Sequence, residues 1–408
     1  MKKLFVSVVL LSLLSSVFAF GLKDRYFELN FDMQASASNS SFFLPDFLKE
    51  ELVIDLPSLS KSVPKSGFSM NLMAKPSFSM NLDLRKVYVG LTAGVETQGA
   101  FTISKDLFDF LSDGLALNET LNVGVTANAD MFLYVDATVG FFIKTVKIKV
   151  KPSAFTPIFH TEVDKSNISI VNTPDGSIKL KMNSDFDIYS QFNYQTIQNL
   201  SSGGMAGLLQ VPSFSSVGFD LSASADFAIK RGFTVTGYLR VPILPATLSN
   251  RVGAGVEVNA DVNMLDAASG NGGLEYDYKF NDFEEKSGTK KVSRPLKAGA
   301  GVIWDGLGSS VIFYASGGVG MRYPFTSMMI VYPEYVAGVD LSLFNILGAT
   351  ISMQYVDKVF ANKFDVFLNT RVLQVNAGVS LESASFVGSF KLGGAGFHLG
   401  LSLGFYFV

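Results

Sequence analysis

The chain's last twelve residues, Phe397 to Val408, alternate in character without a break. Phe397, Leu399, Leu401, Leu403, Phe405 and Phe407 share one parity, and His398, Gly400, Ser402, Gly404 and Tyr406 share the other. Successive side chains of a strand point to opposite faces. This segment therefore predicts a strand with one wholly apolar face and one small or polar face. Phe27 to Ala37 has the same form: Phe27, Leu29, Phe31, Met33, Ala35 and Ala37 against Glu28, Asn30, Asp32, Gln34 and Ser36. So do Val217 to Ile229, Phe233 to Val241 and Val252 to Met264. From Lys297 onward the pattern predicts closely spaced strands at 297–304, 311–321, 335–343, 347–357, 362–369, 372–382, 385–393 and 397–408. Turn signals such as Asp305-Gly306 and Gly393-Gly394 separate them.

Some stretches fit less simply. Phe68-Ser69-Met70-Asn71-Leu72 is repeated as Phe78-Ser79-Met80-Asn81-Leu82. Lys75-Pro76 lies between, and proline cannot donate to a ladder, so two amphipathic strands joined at a turn or bulge are expected. Val123 to Ile143 keeps one apolar parity for 21 residues, roughly 70 Å of strand. It is either two strands with a turn near Asn128–Asp130 or Asp136, or one strand running well past a bilayer. Phe155 to Thr173 reads as irregular, with Pro152, Pro157 and Pro174 around it. Ser104 to Gly114 predicts a short helix, with Ser104 as N-cap, Asp106 in the first turn and Gly114 just past the end. Residues 38–63 break the alternation and form either a surface loop or an inward plug, with a helix-compatible stretch at Asp46–Leu52. Asp266 to Arg294 is polar, Gly-rich and charged, and residues 266–296 are expected to be the longest surface loop.

A soluble sandwich also alternates, because one face packs on a core. Here the polar face is crowded with Gly, Ser, Thr and Asn in strand after strand, and the apolar face with Phe, Leu, Val, Met and Ala. Charged residues are 17 %, below the usual quarter, and apolar residues are 48 % without being blocked together. A closed sheet in lipid satisfies every backbone group by pairing, which an open one does not. The expected fold is all-β, a single transmembrane antiparallel β-barrel of about 14–18 strands with a short helix at its rim or in its lumen. Tyr26, Tyr88, Tyr332, Tyr335, Tyr355 and Phe407 are candidates for interfacial girdles.

The N-terminus sets the compartment. Lys2 and Lys3 precede an apolar core at Leu4–Leu14, and Val17-Phe18-Ala19 suits signal cleavage. The apolar run of about 11 residues is short of the ~20 that span a bilayer as a helix. Residues 1–19 are expected to be a signal peptide and 20–408 a barrel in the bacterial outer membrane. Phe405 and Phe407 are expected to serve as the terminal assembly signal for a barrel-assembly machinery. The chain has no Cys, which removes disulfides, thiol nucleophiles and Cys-based zinc. A net charge of −3 argues against nucleic acid as a partner; membrane lipid is the expected environment.

Four segments carry a family resemblance: Ile103-Ser104-Lys105-Asp106-Leu107-Phe108-Asp109-Phe110-Leu111, Lys149-Val150-Lys151-Pro152, Arg294-Pro295-Leu296-Lys297-Ala298-Gly299 and Pro333-Glu334-Tyr335-Val336-Ala337-Gly338. Over roughly residues 100–408 the chain resembles a poorly characterised family of bacterial outer-membrane barrels, loosely similar to the long-chain fatty-acid transporter barrels. The resemblance implies a barrel that moves a solute. Those transporters carry an Asn-Pro-Ala stretch in an N-terminal plug. No such tripeptide occurs here, so their plug mechanism does not carry over.

Candidate chemistry is sparse. Only two His exist, His160 and His398, and they lack metal-ligand spacing. No enzyme activity, cofactor or metal is expected. The expected lumen-lining set is Glu28, Asp32, Lys147, Lys149, Lys151, Asp220, Asp226, Glu257, Asp261, Asp340, Glu382 and His398. Rings of such charges tune selectivity in pores, or pair across the interior and close it. The expected function is passive or facilitated passage of small solutes through the lumen, hydrophobic ones among the candidates. The alternative is a non-conducting surface or envelope-anchoring barrel whose loops bind a partner, and a third is a periplasmic lipid-binding β protein.

Overall fold

The computed structural model describes residues 26–41, 55–84, 86–174, 177–193, 195, 216–229, 232–263, 274–306, 310–326, 329–343, 346–356, 358–370, 372–391 and 393–405. The expected signal segment, the stretch Asp46–Leu52 and Phe407 lie outside them. The described residues contain twenty strands, β1–β20 in chain order, and fourteen of them close a ring. Around the ring these are β1 (Phe27–Asn39), β2 (Phe68–Asp83), β3 (Val87–Ile103), β5 (Val125–Ile143), β6 (Val146–Asn172), β8 (Gly218–Ile229), β9 (Phe233–Leu244), β14 (Leu296–Trp304), β15 (Val311–Arg322), β16 (Ile330–Leu343), β17 (Leu347–Val356), β18 (Val359–Asn369), β19 (Leu373–Ser383) and β20 (Gly394–Phe405). Every neighbouring pair is antiparallel. The ring is sealed by its first and last strands, with Phe27 facing Phe405 and Ser38 facing Gly394.

The outer face carries the apolar parity. Leu399, Leu401 and Leu403 of β20 are exposed, as are Phe364, Val366 and Leu368 of β18 and Val135, Val139, Phe141 and Ile143 of β5. On β16, β17 and β18 the outward aromatics Tyr335, Tyr355 and Phe360 pack in a row, and Phe386 and Phe390 extend it. Eight residues along each strand stand Leu343, Leu347 and Leu368, which are themselves cross-strand neighbours. Eight residues span about 26 Å of strand, or about 20 Å of height at a tilt of ~40°. At the opposite margin Phe233, Trp304 and Phe313 stack in a second aromatic row.

The two ends of the ring differ. At one end strands are joined by the short connections 84–86, 144–145, 230–232, 305–310, 344–346 and 370–372. At the other end the wall rises unevenly. β6 pairs with β8 over Val146–Phe155, then changes partner and pairs with β7 (Ser177–Ser190) over Phe159–Asn172. β7 in turn pairs with β11 (Asn250–Asn263), and β11 with β12 (Leu274–Lys286). Together they form a sheet that stands above the wall made by β8, β9 and β14. The strands β9, β10 (Ala246–Leu248) and β11 run on one side of a single long hairpin; β12, β13 (Lys290–Val292) and β14 run on the other. Arg240 faces Lys297 in the wall and Arg251 faces Lys286 eleven residues higher on both sides, but the register slips by one residue between them, where Ala246 faces Val292, and again between Gly253 and Gly255. Between the two levels, among the described residues, β10 and β13 pair only with each other. Pro245 and Pro295, which lack an N–H to donate, flank this break.

Helix α1 (Leu56–Ser62) and helix α2 (Lys105–Asp113) pack together against the outer parity at the long-loop end. Phe108 of α2 meets Phe68 and Val63, while Leu107 and Phe110 cover Val123, Val125, Ile168 and Ile170. Helix α2 begins after Ser104 and ends at Gly114 with φ 77°, in keeping with the capping pattern. It lies at the rim, on the outside. Lys105 and the Ser60 hydroxyl both bond Asp109, tying the helices together and holding that carboxyl below its ordinary range.

Five expectations are corrected. The described residues of 385–393 are not a strand: β19 ends at Ser383, β20 starts at Gly394, and a short 3-10 turn at Gly388–Phe390 lies between them. Of the candidate girdle residues, Tyr88 and Tyr332 share the inner parity instead; Tyr332 is buried, and Lys147 and Lys149 stand over the Tyr88 ring. The two near-copies lie on one continuous strand, β2; Pro76 interrupts only its pairing with β3, between Ala74↔Thr97 and Ser77↔Gly94. Phe155–Thr173 is mostly strand: the register of β6 shifts opposite Met131/Phe132 and again near Val163/Lys165, and each shift moves side chains to the other face. The segment Asp266–Arg294 contains β12 and β13 rather than being loop throughout, because its charged parity (Glu275, Asp277, Lys279) belongs to a strand raised above the apolar belt. Val123–Ile143 is essentially one strand, the second of the two options.

Candidate functional site: a lumen closed by charge pairs

The inner parity places charged side chains from many strands around one axis, and Arg294 closes the space between them. Arg294 sits on the three-residue link between β13 and β14. That link enters the ring, and only 5 % of the Arg294 side chain is exposed. Its Nη1 donates to Ser153 Oγ at 2.8 Å on β6 and to Asp220 Oδ2 at 3.1 Å on β8. Asp136 Oδ1 of β5 lies 3.5 Å away. Its Nη2 and Nε reach Glu96 Oε2 of β3, each at 3.3 Å. The guanidinium also stands 4.5 Å over the Tyr134 ring. One side chain is thereby bound to four wall strands.

The surrounding cations complete the cluster. Arg240 Nη1 lies 3.6 Å and Lys75 Nζ 3.8 Å from Glu96, and Lys151 Nζ lies 3.0 Å from Asp136. Arg240 Nε donates to the Pro295 carbonyl at 2.9 Å, fixing the link itself. Lys297, next along β14, bonds Glu334. Such a cluster is worth little as net stability, since desolvation offsets the attraction. Removing one partner is costly, because it leaves the others buried without their counter-charge. The space between Glu96, Asp130, Phe132, Ser293 and Tyr323 encloses only about 10 Å³, room for a single water at most. A larger hollow of about 470 Å³ lies outside the lumen, beside Met70, Leu72 and Phe101.

Directly beside the charge cluster is an apolar one. Ala246 and Leu248 of β10 and Val292 of β13 are fully buried against Phe132, Phe155 and Tyr189, with Tyr134 alongside. Phe132 and Phe155 meet edge to face at 5.7 Å. All three aromatics share the inner parity of β5, β6 and β7. The inward turn of β10 and β13 therefore gives the lumen an aromatic and aliphatic shelf.

The expected residues distribute as follows. Asp220 enters the Arg294 cluster, and Lys151 joins it through Asp136. Lys147 and Lys149 stand over the Tyr88 ring at 5.9 and 4.7 Å. Asp226 lies across from Lys147 on β8. Asp32, Asp340, Glu382 and His398 line the opposite wall. There His398 Nδ1 pairs with Asp365, Asp340 accepts from Thr350 at 2.6 Å, and Glu382 accepts from Ser380 at 2.7 Å. Glu28 shares the inner parity of β1 near the short-turn end. Glu257 and Asp261 belong to β11, above the ring, where Asp261 pairs with Lys179 at 3.3 Å; the structure does not bring them to the lumen cluster. Phe405 ends β20 opposite Phe27. The spacing Gly400-Leu401-Ser402-Leu403-Gly404 matches the letters of a nucleophile elbow, but it lies inside the extended strand β20 and not on a strand-to-helix turn.

Solved structures of similar fold include transporter barrels. The toluene transporter TodX of P. putida matches 95 % of this chain and 92 % of its own, at 9 % identity and a TM-score of 0.46. The toluene transporter TbuX of Ralstonia pickettii matches 95 % and 91 %, at 6 % identity and 0.46. The CymD monoaromatic hydrocarbon channel matches 94 % and 90 %, at 10 % identity and 0.43. The likeness is one of fold. No protein-family model matches the sequence, and no curated protein does.

Sequence reasoning missed Arg294, Glu96, Asp136 and His160 as parts of one interior. Arg294 carried a usable signal: it is a lone cation between Ser293 and Pro295 at the very start of a strand, where no alternation assigns it a face. Glu96 lay at the end of a run of outward Val and Ala, beside the ladder break that Pro76 imposes.

Proposed function

We propose that this chain is an outer-membrane barrel that passes small hydrophobic solutes through its lumen, in a state closed here by Arg294 and the inward turn of β10 and β13. The observation that carries the reading is the aromatic shelf of Phe132, Phe155 and Tyr189 inside an otherwise charged interior. Dispersion and stacking on that shelf favour a small apolar or aromatic molecule over water, and the charges beside it refuse entry unless the link moves. The outward belt, bounded by aromatic rows, supports a lipid surround. Export through a signal peptide at residues 1–19 and folding by a barrel-assembly machinery that reads Phe405 and Phe407 belong to the same proposal. Lys147, Lys149, Asp32, Asp340, Glu382 and His398 would line the path on either side of the closure.

The test is entry of toluene into liposomes carrying refolded protein, alongside single-channel recording. Faster entry than in empty liposomes supports passage. Equal entry together with silent insertion favours the second reading, a non-conducting surface barrel. The raised β7–β11–β12 sheet, with Tyr278 60 % exposed, is the observation that favours that reading.

A further inference from the structure

His160 joins three separate parts of the closed mouth. It lies on β6, ten residues beyond Val150, the last of the exposed apolar residues in that strand's lower part, so it stands above the belt. Its side chain is 1 % exposed. Nδ1 is 2.7 Å from Asp130 Oδ1 of β5, and Nε2 is 3.4 Å from Glu162 Oε2 of β6. Lys290 of the inward strand β13 bonds the same Glu162 at 2.5 Å. Tyr323 donates to Asp130 Oδ2 at 2.9 Å and packs edge-on against the imidazole at 5.4 Å. Tyr323 leads the turn from β15 to β16 with φ 48°, a left-handed conformation that a bulky residue keeps only when its surroundings hold it there. Next to it Arg322 donates to Asn128 of β5 at 2.8 Å. Tyr189 of β7 lies 6.1 Å from the imidazole, its ring tilted by 35°. The charged and titratable groups around His160 are thus Asp130, Glu162, Tyr189, Lys290, Arg322 and Tyr323.

Both ring nitrogens face a carboxylate. A neutral imidazole has one N–H, so it satisfies one carboxylate and turns a lone pair toward the other. Only the imidazolium donates to both. Burial alone would lower the pKa of His160; the hydrogen bonds to Asp130 and Glu162, with their charges, outweigh it and raise it.

We propose that His160 is a proton-operated latch: its imidazolium, bridging Asp130 and Glu162, holds β13 and the Tyr323 turn against the wall, and loss of one proton to solvent releases them. The latch rests on the reading of the lumen as a closed passage. The closed state binds the proton more tightly than the released one. Its hold is therefore complete below the ordinary imidazole value of about 6.5 and is lost as pH rises through the raised value. Acid keeps the barrel shut, and a pH above the raised value frees it.

The chain has no Cys, so one introduced thiol is a clean reporter. Ser293 lines the closed gap beside β13. The experiment measures labelling of Ser293→Cys by a charged maleimide in proteoliposomes from pH 5.5 to 8.5. The rate is divided by that of Ser66→Cys, an exposed control for the reagent and for a solvent-facing thiolate, while pairing with His160→Gln controls for the surroundings of position 293. The expected result is a rise of at least tenfold in the normalised rate, absent in the Ser293→Cys/His160→Gln pair, whose side chain does not titrate. A flat profile in protein with a native circular dichroism spectrum overturns the latch. So does a step that survives His160→Gln. Toluene entry scored in parallel separates the two readings: a labelling step without entry refutes passage and keeps the latch, and entry without a step does the reverse.

Discussion

Replacing Leu401 with Arg tests the outward belt directly. Leu401 lies midway along the outward residues of β20, between Leu399 and Leu403, and faces Phe31 of β1 and Val375 of β19. It is 38 % exposed, although both neighbouring strands are in place, so its free surface meets whatever surrounds the barrel. A guanidinium at the midplane of a lipid-facing strand costs roughly 2–4 kcal/mol. That corresponds to a fall of about 30- to 900-fold in the folding equilibrium. The neighbouring Ser402 points inward, between Asn30 and Gln374, and Arg there finds polar partners; its cost should stay under about 1 kcal/mol. Both are read from urea unfolding of protein refolded into lipid vesicles. Trp304, the chain's single Trp, stacks between Phe233 and Phe313 and reports the loss of the wall by fluorescence. Equal losses at the two positions, or a larger loss at Ser402, would refute the assignment of faces and with it the lipid surround.

The other predictions concern the interior. Arg294→Met should cost roughly 3–5 kcal/mol in the same titration, because Glu96, Asp136 and Asp220 lose their shared cation; a loss under about 1 kcal/mol would mean that the cluster is hydrated. Gly218→Val should prevent assembly, since a Cβ there would lie 2.8 Å from the Leu244 carbonyl and collide with the Phe155 ring where β6 changes partner. Recovery of heat-resistant barrel in normal yield would show that this seam yields easily. Reversing Lys147, Lys149 and Lys151 to Glu together should shift the reversal potential toward cations if they border the path, and an unchanged potential removes them from it.

The ring was legible in the sequence wherever its strands stand within the belt. There each position faces either the apolar outside or the lumen, so β1, β8, β9 and β15 to β20 alternate cleanly. The pattern failed where that contrast ends. Above the belt β6 shifts register twice, and its outward residues Ile168 and Ile170 are covered by a helix. β12 stands among charges on one side and reads as loop. The interior was legible only as a set of inward polar residues. Which of them meet depends on side-chain reach across the ring: Arg294 touches partners 74 to 198 residues away along the chain. Alternation says which way a residue points and nothing about what waits opposite.

The seal between β1 and β20 has a consequence for how the chain acquires its shape. The pairing of Phe27 with Phe405 joins residues from the two extremes of the described chain, and no earlier contact substitutes for it. Until the last strand is delivered, every partly formed sheet carries two raw borders able to recruit a stranger. The entropy of bringing such distant ends together must be met before the reward arrives, which makes closure slow. Newly made copies should therefore depend on holdase escort, and a truncated one should stick to its neighbours, however sound its remaining strands.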